Sequence, residues 1–179
     1  GQYVHGNEPS HHVIYLFSLL GRPDLTARYV REVFDRFYLP KPDGLCGNDD
    51  CGQMSAWYIL SSMGFYQVEP AGGRYWFGTP LFDEVVLNLA GGRTFSIVAE
   101  NNSDVNRYIQ RIYLNGRPYT HPYIEYKDIM AGGELRFVMG SGHSLWYCAD
   151  EPEEYVDQRP APQNRLFTST GIDSTITAV

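Results

Sequence analysis

The sequence predicts an α+β fold in which three helices come first and short β-strands follow. Apolar residues recur every three or four positions as far as Gly64, whereas from Gly72 onward they alternate with polar residues between turn signals. Several short strands at this spacing favour an antiparallel β-sandwich. We therefore expect a helical part over 1–69, a β-sandwich over 70–149 and, in the acidic and then Ser/Thr-rich sequence over 150–179, a poorly packed tail.

The helical part should contain three helices, separated by Gly and Pro residues that do not continue a helix. The apolar spacing predicts the first over 9–20, the second over 24–38 from an aspartate N-cap, and the third over 53–63. Asp50 is the expected N-cap of the third helix. Gln53, three residues later, would complete a capping box, in which the carboxylate and the amide each satisfy a backbone N–H group.

Turn signals divide the β-rich part into six predicted strands. Their ranges are 74–77, 82–89, 94–99, 108–114, 123–126 and 134–139. After the fourth strand, Asn115-Gly116 is a strong candidate for a tight hairpin turn. A single helical turn is expected over 127–130, ahead of the last strand.

The composition argues against several kinds of partner. The net charge of −7 and the pI near 5.1 come without a basic cluster, so binding to DNA or RNA is not expected. No apolar run approaches the roughly 20 residues that a membrane-spanning helix needs, so no membrane span is expected. Aromatic residues make up 15% of the chain, which suits a sugar-binding cleft but equally suits the core of a β-domain.

The three cysteines, Cys46, Cys51 and Cys148, form neither an even disulfide framework nor a CxxC metal pattern. Cys46 and Cys51 bracket one short loop. They could form a small loop disulfide in an oxidising compartment, or they could be two buried free thiols. The sequence leaves both interpretations open.

Two stretches contain the polar side chains that could take part in catalysis or ligand binding. The first is residues 5–12, which we call the first polar motif. It holds three histidines together with Asn7 and Glu8, just before an apolar helix. A helix N-terminus favours a carboxylate on structural grounds alone. His11 and His12 are neighbours that cannot both face one way, and they lack the spacing of a helical zinc site.

The second polar motif is residues 44–53, a glycine-rich loop that carries Asn48, Asp49 and Asp50 into the third helix. A helix cap needs only one carboxylate, whereas two adjacent acids suit either a general base that activates water or oxygen ligands for a cation. The alternative is a cap with a solvated turn. If both polar motifs serve one site, Glu8 and Asp50 should be spatial neighbours.

Both polar motifs resemble sequences of glycoside hydrolase family ninety-two, the calcium-dependent α-mannosidases. The stretches that carry the resemblance are 5–12, 29–33, 44–58 and 64–66, followed by Pro80-Leu81-Phe82-Asp83 in the strand-rich part. The resemblance covers roughly residues 1 to 140. It implies that the helices are the last part of an (α/α) toroid, whose loops line a cleft, and that the strands complete a β-sandwich.

The resemblance also implies an activity, namely exo-acting, inverting hydrolysis of terminal α-linked mannose, with α-1,2 linkages and N-glycans as the expected substrates. An inverting mechanism uses two carboxyl groups roughly 6.5–9.5 Å apart, one as acid and one as base. In the family the acid is a glutamate upstream of these motifs. The chain is therefore expected to be a C-terminal fragment that lacks the general acid and is inactive alone.

The resemblance further assigns roles to residues of both polar motifs. It implies Asp50 as the catalytic base, with Asp49 as its rival, and Asn48 as a substrate-orienting residue. The calcium ion would coordinate vicinal hydroxyls of the mannose. Its implied ligands are Asn7 and Glu8, and the implied contacts to sugar hydroxyls are His11 and His12.

The expected partners are a mannose-containing glycan and the upstream part of the same polypeptide. The expected location is secreted, periplasmic or at the cell surface, in a bacterium. Two alternatives stay open at the level of sequence: a calcium-dependent carbohydrate-binding module, which the aromatic residues and acids favour, and a structural accessory module.

Overall fold

The computed structural model describes residues 3–144 and 146 and has an α+β fold with two β-sheets. The predicted tail, 150–179, lies outside the described residues, as does Cys148. Within the described part, no helix is both long enough and apolar enough to cross a membrane.

The first predicted helix is broken, so a continuous helix over 9–20 is wrong. Glu8–Ser10 and Val13–Tyr15 are 3-10 turns, and only Leu16–Leu19 forms an α-helix, α1. Two side chains from elsewhere in the fold take up backbone groups that a continuous helix would use. Trp57 Nε1 donates to the His11 carbonyl at 3.1 Å, and the Thr26 hydroxyl bonds both the Ser18 N–H and the Ile14 carbonyl.

Thr26 interrupts the helix by replacing a backbone hydrogen bond with two bonds through its hydroxyl. Its Oγ1 accepts from the Ser18 N–H at 2.9 Å and donates to the Ile14 carbonyl at 3.0 Å. In an uninterrupted α-helix the Ser18 N–H would bond the Ile14 carbonyl directly. The break is therefore a tertiary effect, which local sequence periodicity does not report.

Helix α2 spans Pro23–Phe37 and helix α3 spans Gln53–Ser62. Asp24 is in the first turn of α2 and is not its N-cap, because its carboxylate is held by two hydrogen bonds from the Arg22 guanidinium at 2.7 and 2.8 Å. The predicted start of α3 is confirmed.

The apolar stripe of α2 packs against α3 and the segment that carries the first polar motif. Trp57 of α3 is fully buried at the centre of this helical core. The other buried members are Tyr3, Ile14, Tyr15, Tyr29, Val30, Val33, Phe34, Phe37, Tyr66 and Trp76.

The β-rich part forms two sheets. The strands are β1 Phe65–Gln67, β2 Arg74–Phe77, β3 Glu84–Asn88, β4 Thr94–Glu100, β5 Tyr108–Leu114, β6 Arg117–Pro118, β7 Tyr123–Glu125 and β8 Gly133–Gly140, with helix α4, Tyr126–Ala131, between the last two. One sheet has the order β1-β2-β7 and the other β3-β4-β8-β5-β6. The predicted hairpin turn is confirmed, since β5 and β6 pair and Asn115 and Gly116 have φ of 51° and 76°.

A wholly antiparallel arrangement is wrong for one pair of strands, because β4 and β8 pair in parallel, with Ile97 opposite Leu135. A parallel pair needs a long crossover connection, and here the chain between the two strands forms β5, β6, β7 and α4. On both strands alternate residues are buried, and they form a second core with Met63 and Phe65. The division of the chain near residue 70 stays a prediction.

Candidate active site

The two polar motifs meet through a close backbone contact between two glycines. A Cβ atom added to Gly6 would lie 2.9 Å from the carbonyl oxygen of Cys46, and one added to Gly47 would lie 3.1 Å from the Gly6 Cα. Any larger residue at Gly6 would push the two loops apart. The contact brings Glu8 beside Asp50, so the prediction that these carboxyl groups are neighbours is confirmed.

The carboxyl groups of Glu8 and Asp50 are close enough to share a hydrogen bond when one of them is protonated. A hydrogen bond from its own backbone N–H, followed by the bond with Asp50, lowers the pKa of Glu8. The same bond with Glu8, followed by the charge of Glu8, raises the pKa of Asp50. Asp50 is therefore the member of the pair that holds the shared proton more tightly.

Gly52 is the N-cap residue of α3, and the side chain that caps a free N–H group of its first turn belongs to Asp49, not to Asp50. The Asp49 carboxylate accepts a hydrogen bond from the Ser55 N–H at 2.9 Å, and its carbonyl accepts from the Met54 N–H at 3.1 Å. The predicted capping box is also wrong, because the Gln53 side chain bonds His11 and Tyr66 instead.

The reason for this exchange of roles is a left-handed turn of three consecutive residues. Asp50, Cys51 and Gly52 have φ of 46°, 57° and 87°, so the chain coils once and places the preceding residue, Asp49, over the helix start. A left-handed conformation costs an L-residue roughly 1–2 kcal/mol. The turn leaves the Asp50 side chain exposed and directed at Glu8 rather than at the helix.

Behind the first polar motif, His5 is buried and held as a neutral ring. The Tyr38 hydroxyl donates its proton to the Met54 carbonyl at 3.0 Å, so it must accept from His5 Nε2 at 2.8 Å. The Tyr3 hydroxyl accordingly donates to His5 Nδ1, also at 2.8 Å. Burial, followed by the charge of His11, lowers the pKa of His5 to about 3.

His11 is also buried, with both ring nitrogens bonded to protein groups. Its Nε2 donates to the His5 carbonyl at 2.9 Å, and its Nδ1 accepts from the Gln53 amide at 3.1 Å. Burial lowers the pKa of His11. His12 is half-buried. The sugar-contact roles of both histidines stay predictions.

One oxygen of the site has no hydrogen-bond donor within the described residues, namely the buried Glu8 Oε1. An unpaired carboxylate oxygen beside a second carboxylate is the hard donor chemistry that calcium prefers. The described residues contain no cluster of three or more His, Cys, Asp or Glu side chains suited to a metal. Glu8 therefore fits as one ligand of a calcium ion, whose other oxygens would be carbonyls, amides, water or sugar hydroxyls. Asn7 and Asn48 are both exposed.

Both loop cysteines within the described residues are free thiols. Burial raises the pKa of the half-buried Cys46 to about 11, so it is not a thiolate at neutral pH. Cys51 is exposed, so the loop has neither the disulfide nor the two buried thiols that the sequence left open.

Sequence reasoning gave no functional role to three residues that build this site: Gly6, Gln53 and Tyr66. Gln53 was predicted to face the backbone of its own helix, because the capping-box spacing is a local signal. The partner that it bonds instead, His11, is 42 positions away. No local pattern marks Tyr66 as the second partner of that amide.

Comparison with known proteins shows the family of this chain. The glycosyl hydrolase family 92 catalytic domain matches residues 1–141, and the chain belongs to this family. A family 92 α-mannosidase from Bacteroides thetaiotaomicron, solved in complex with mannoimidazole, is 43% identical with a TM-score of 0.76, over 80% of this chain and 19% of that one.

Two further relatives carry related descriptions. A family 92 inverting mannosidase from Bacteroides thetaiotaomicron is 41% identical with a TM-score of 0.75, over 81% of this chain and 20% of that one. An uncharacterized secreted glycosidase from Arthroderma benhamiae is 31% identical over 144 residues, which is 79% of this chain and 19% of the relative. The chain thus spans about a fifth of the length of these relatives.

The capping role of Asp49 predicts a difference between two substitutions. Asp49→Ala should lower the free energy of unfolding by about 1 kcal/mol, because the Ser55 N–H loses its acceptor, whereas Asp49→Asn should be nearly neutral. Urea unfolding measures both. Asp50→Asn, which removes no helix cap, is the matched control. A loss with Asp50→Asn that exceeds the loss with Asp49→Ala would contradict the assignment of the cap.

The buried neutral ring of His5 predicts acid sensitivity. His5 binds a proton near its usual pKa of 6.5 when unfolded but only near 3 when folded, so the folded state binds fewer protons between these values. The stability that His5 contributes is present above pH 6.5 and is lost as the pH falls toward 3. Urea unfolding across this range should show a smaller pH slope for His5→Phe than for the native protein. His121→Phe, which replaces an exposed ring, is the control, and equal slopes for His5→Phe and the native protein would refute the prediction.

Proposed function

We propose that this chain is part of an exo-acting, inverting α-mannosidase, which removes terminal α-linked mannose from glycans together with the upstream part of the same polypeptide. The observation that carries the proposal is the Glu8–Asp50 carboxyl pair, formed where the two polar motifs of a family 92 catalytic domain meet. The description of one relative as an inverting mannosidase supports the same reaction class.

Asp50 is a better candidate than Asp49 for the base that activates water. One Asp49 oxygen is committed to the Ser55 N–H, whereas the Asp50 side chain is exposed beside Glu8. A base accepts a proton more readily as its pKa approaches the working pH, and Glu8 raises the pKa of Asp50. Asn48, exposed two residues before Asp50, would orient the substrate.

Glu8 is not suited to be the acid partner of Asp50. An inverting pair leaves room for the sugar and a water and is separated by roughly 6.5–9.5 Å, whereas Glu8 and Asp50 are within hydrogen-bonding range of each other. We therefore place the general acid in the upstream part of the polypeptide. Residues 1–179 alone are then expected to be inactive.

Glu8, aided by Asn7, is proposed to hold calcium through the oxygen that lacks a donor in the described residues. A bound calcium ion would supply two-point binding of vicinal mannose hydroxyls. The residues of this chain would orient that sugar, because the Gly6–Gly47 contact brings Glu8 beside Asp50. The histidines of the motif would complete the polar surroundings.

The finer expectations are part of the same proposal. We expect α-1,2-linked mannose of N-glycans as the substrate and a secreted, periplasmic or surface location, in a bacterium. The description of one relative as a secreted glycosidase supports the location. A carbohydrate-binding or structural module would lack the hydrolysis that the next experiment measures.

The assignment of the base predicts the kinetics of two variants, measured on the protein with its upstream part. Asp50→Asn should lower kcat on an aryl α-mannoside by roughly 10²–10⁴, because the amide cannot accept the proton of the water. Asp49→Asn keeps the helix cap and should lower kcat only a few fold. A larger loss with Asp49→Asn would transfer the role to Asp49, and small losses with both would refute the proposed base.

The proposed calcium site predicts that removing metal affects both activity and stability. A chelator should abolish hydrolysis of the α-mannoside and lower Tm, and added calcium should restore both, because binding to the folded state stabilises it. Glu8→Gln should weaken the dependence of Tm on calcium. Hydrolysis and Tm that are unaffected by the chelator would refute the calcium proposal and leave the assignment of Asp50 standing.

A further inference from the structure

Gln53, the first residue of α3, connects the two polar motifs through its side chain. Its amide nitrogen donates to His11 Nδ1 at 3.1 Å and to the Tyr66 hydroxyl at 2.9 Å. Both N–H groups of the amide are thus used by residues of other elements. The side chain does not serve its own helix, whose N-terminal N–H group of Ser55 is already satisfied by Asp49.

On the far side of His11, the network closes the loop that carries Glu8. His11 Nε2 donates to the His5 carbonyl at 2.9 Å, so the ring holds both ends of the segment between these two histidines. The Ser10 Oγ lies 2.6 Å from the carbonyl oxygens of both Val4 and Asn7 and shares its one proton between these two acceptors, which tightens the same segment. Glu8 therefore lies in a closed loop whose ends, His5 and His11, are hydrogen-bonded to each other. The Gln53 side chain is hydrogen-bonded to His11 at one of these ends.

Gln53 is equally close to the loop of Asp50. Its backbone N–H donates to the Asp50 carbonyl at 3.2 Å, across the left-handed turn. A hydrogen-bonded route from the Asp50 backbone to the closed loop of Glu8 thus runs through the main chain and the side chain of one residue.

We propose that Gln53 is a positioning residue: acting through His11, its amide holds the loop of Glu8 in register with Asp50. The inference rests on the proposed glycosidase function, since it concerns the geometry of that site. It adds a residue that would act indirectly, through His11, and that maintains the separation of the two carboxyl groups which the Gly6–Gly47 contact makes possible.

The packing of α3 separates this role from simple support of the fold. Met54 and Trp57 are fully buried and anchor the helix in the helical core, and Asp49 caps it. Gln53 is half-buried and is not part of either apolar core. Removing its amide should therefore leave α3 in place and release only the bonds to His11 and Tyr66.

The first test compares Gln53→Met, which keeps the length of the side chain and removes both N–H donors, with the native protein including its upstream part. A displacement of about 1 Å at an active site can cost roughly 10²-fold in rate, so kcat on an aryl α-mannoside should fall roughly 10- to 100-fold while KM and Tm change little. Tyr66→Phe, which leaves the bond to His11 intact, should have a smaller effect. Gln67→Met, a glutamine of β1 outside both polar motifs, is the matched control.

The second test asks whether Gln53 acts through His11. In a double-mutant cycle with His11→Phe, which keeps an aromatic ring but no hydrogen bonds, Gln53→Met should cause little further loss of kcat, because residues of one network are not additive. Additive losses would overturn the proposal. The proposal would also be overturned if the kcat of Gln53→Met fell only in proportion to the fraction of folded protein.

A crystal structure of Gln53→Met in the protein with its upstream part provides a measurement that does not depend on activity. The Glu8 carboxyl should move away from Asp50, and an unchanged carboxyl pair would overturn the positioning role. If the native protein does not hydrolyse α-mannosides, the proposed function fails. The crystal structure then still decides whether Gln53 positions the pair.

Discussion

The site depends on the contact between Gly6 and the Cys46–Gly47 backbone. Two polar loops from distant parts of the chain can approach this closely only because neither glycine has a side chain in the interface. The contact sets the relation between Glu8 and Asp50, and every chemical argument about the pair follows from it. The closed loop around His11 and the capped helix α3 then maintain the relative position of Glu8 and Asp50 that this backbone contact makes possible.

The second polar motif divides two tasks between adjacent acids. Because Asp50, Cys51 and Gly52 are left-handed, Asp49 reaches the helix N-terminus and Asp50 is turned outward to Glu8. A chain that only needed a helix cap would have no reason to hold two non-glycine residues in this costly conformation. The strained turn is therefore better explained by the placement of a free carboxyl group than by the needs of α3.

What the sequence predicted well was governed by local forces. The start of α3, the range of β5 and the Asn115-Gly116 turn follow from periodicity and turn chemistry, and the structure has all three. What it predicted wrongly was decided by distant partners. The first helix is broken by Thr26, and Asp49 exchanges roles with Asp50 because three successive φ angles are positive. Two adjacent aspartates are equivalent in sequence, so only the backbone path distinguishes them.

The β-rich part, together with Tyr15 of the helical part, holds the C-terminal end of α3. The Tyr15 hydroxyl donates to Ser61 Oγ at 2.8 Å inside the fold. Just beyond the helix, Gly64 packs so closely on Phe137 that a Cβ atom would lie 3.0 Å from the ring. A helix held at its C-terminal end by β8 and at its N-terminal end by Asp49 and Gln53 has little freedom to tilt. Since Asp50 lies three residues before Gln53, the first residue of that helix, the sheet contributes to the orientation of the carboxyl pair without touching it.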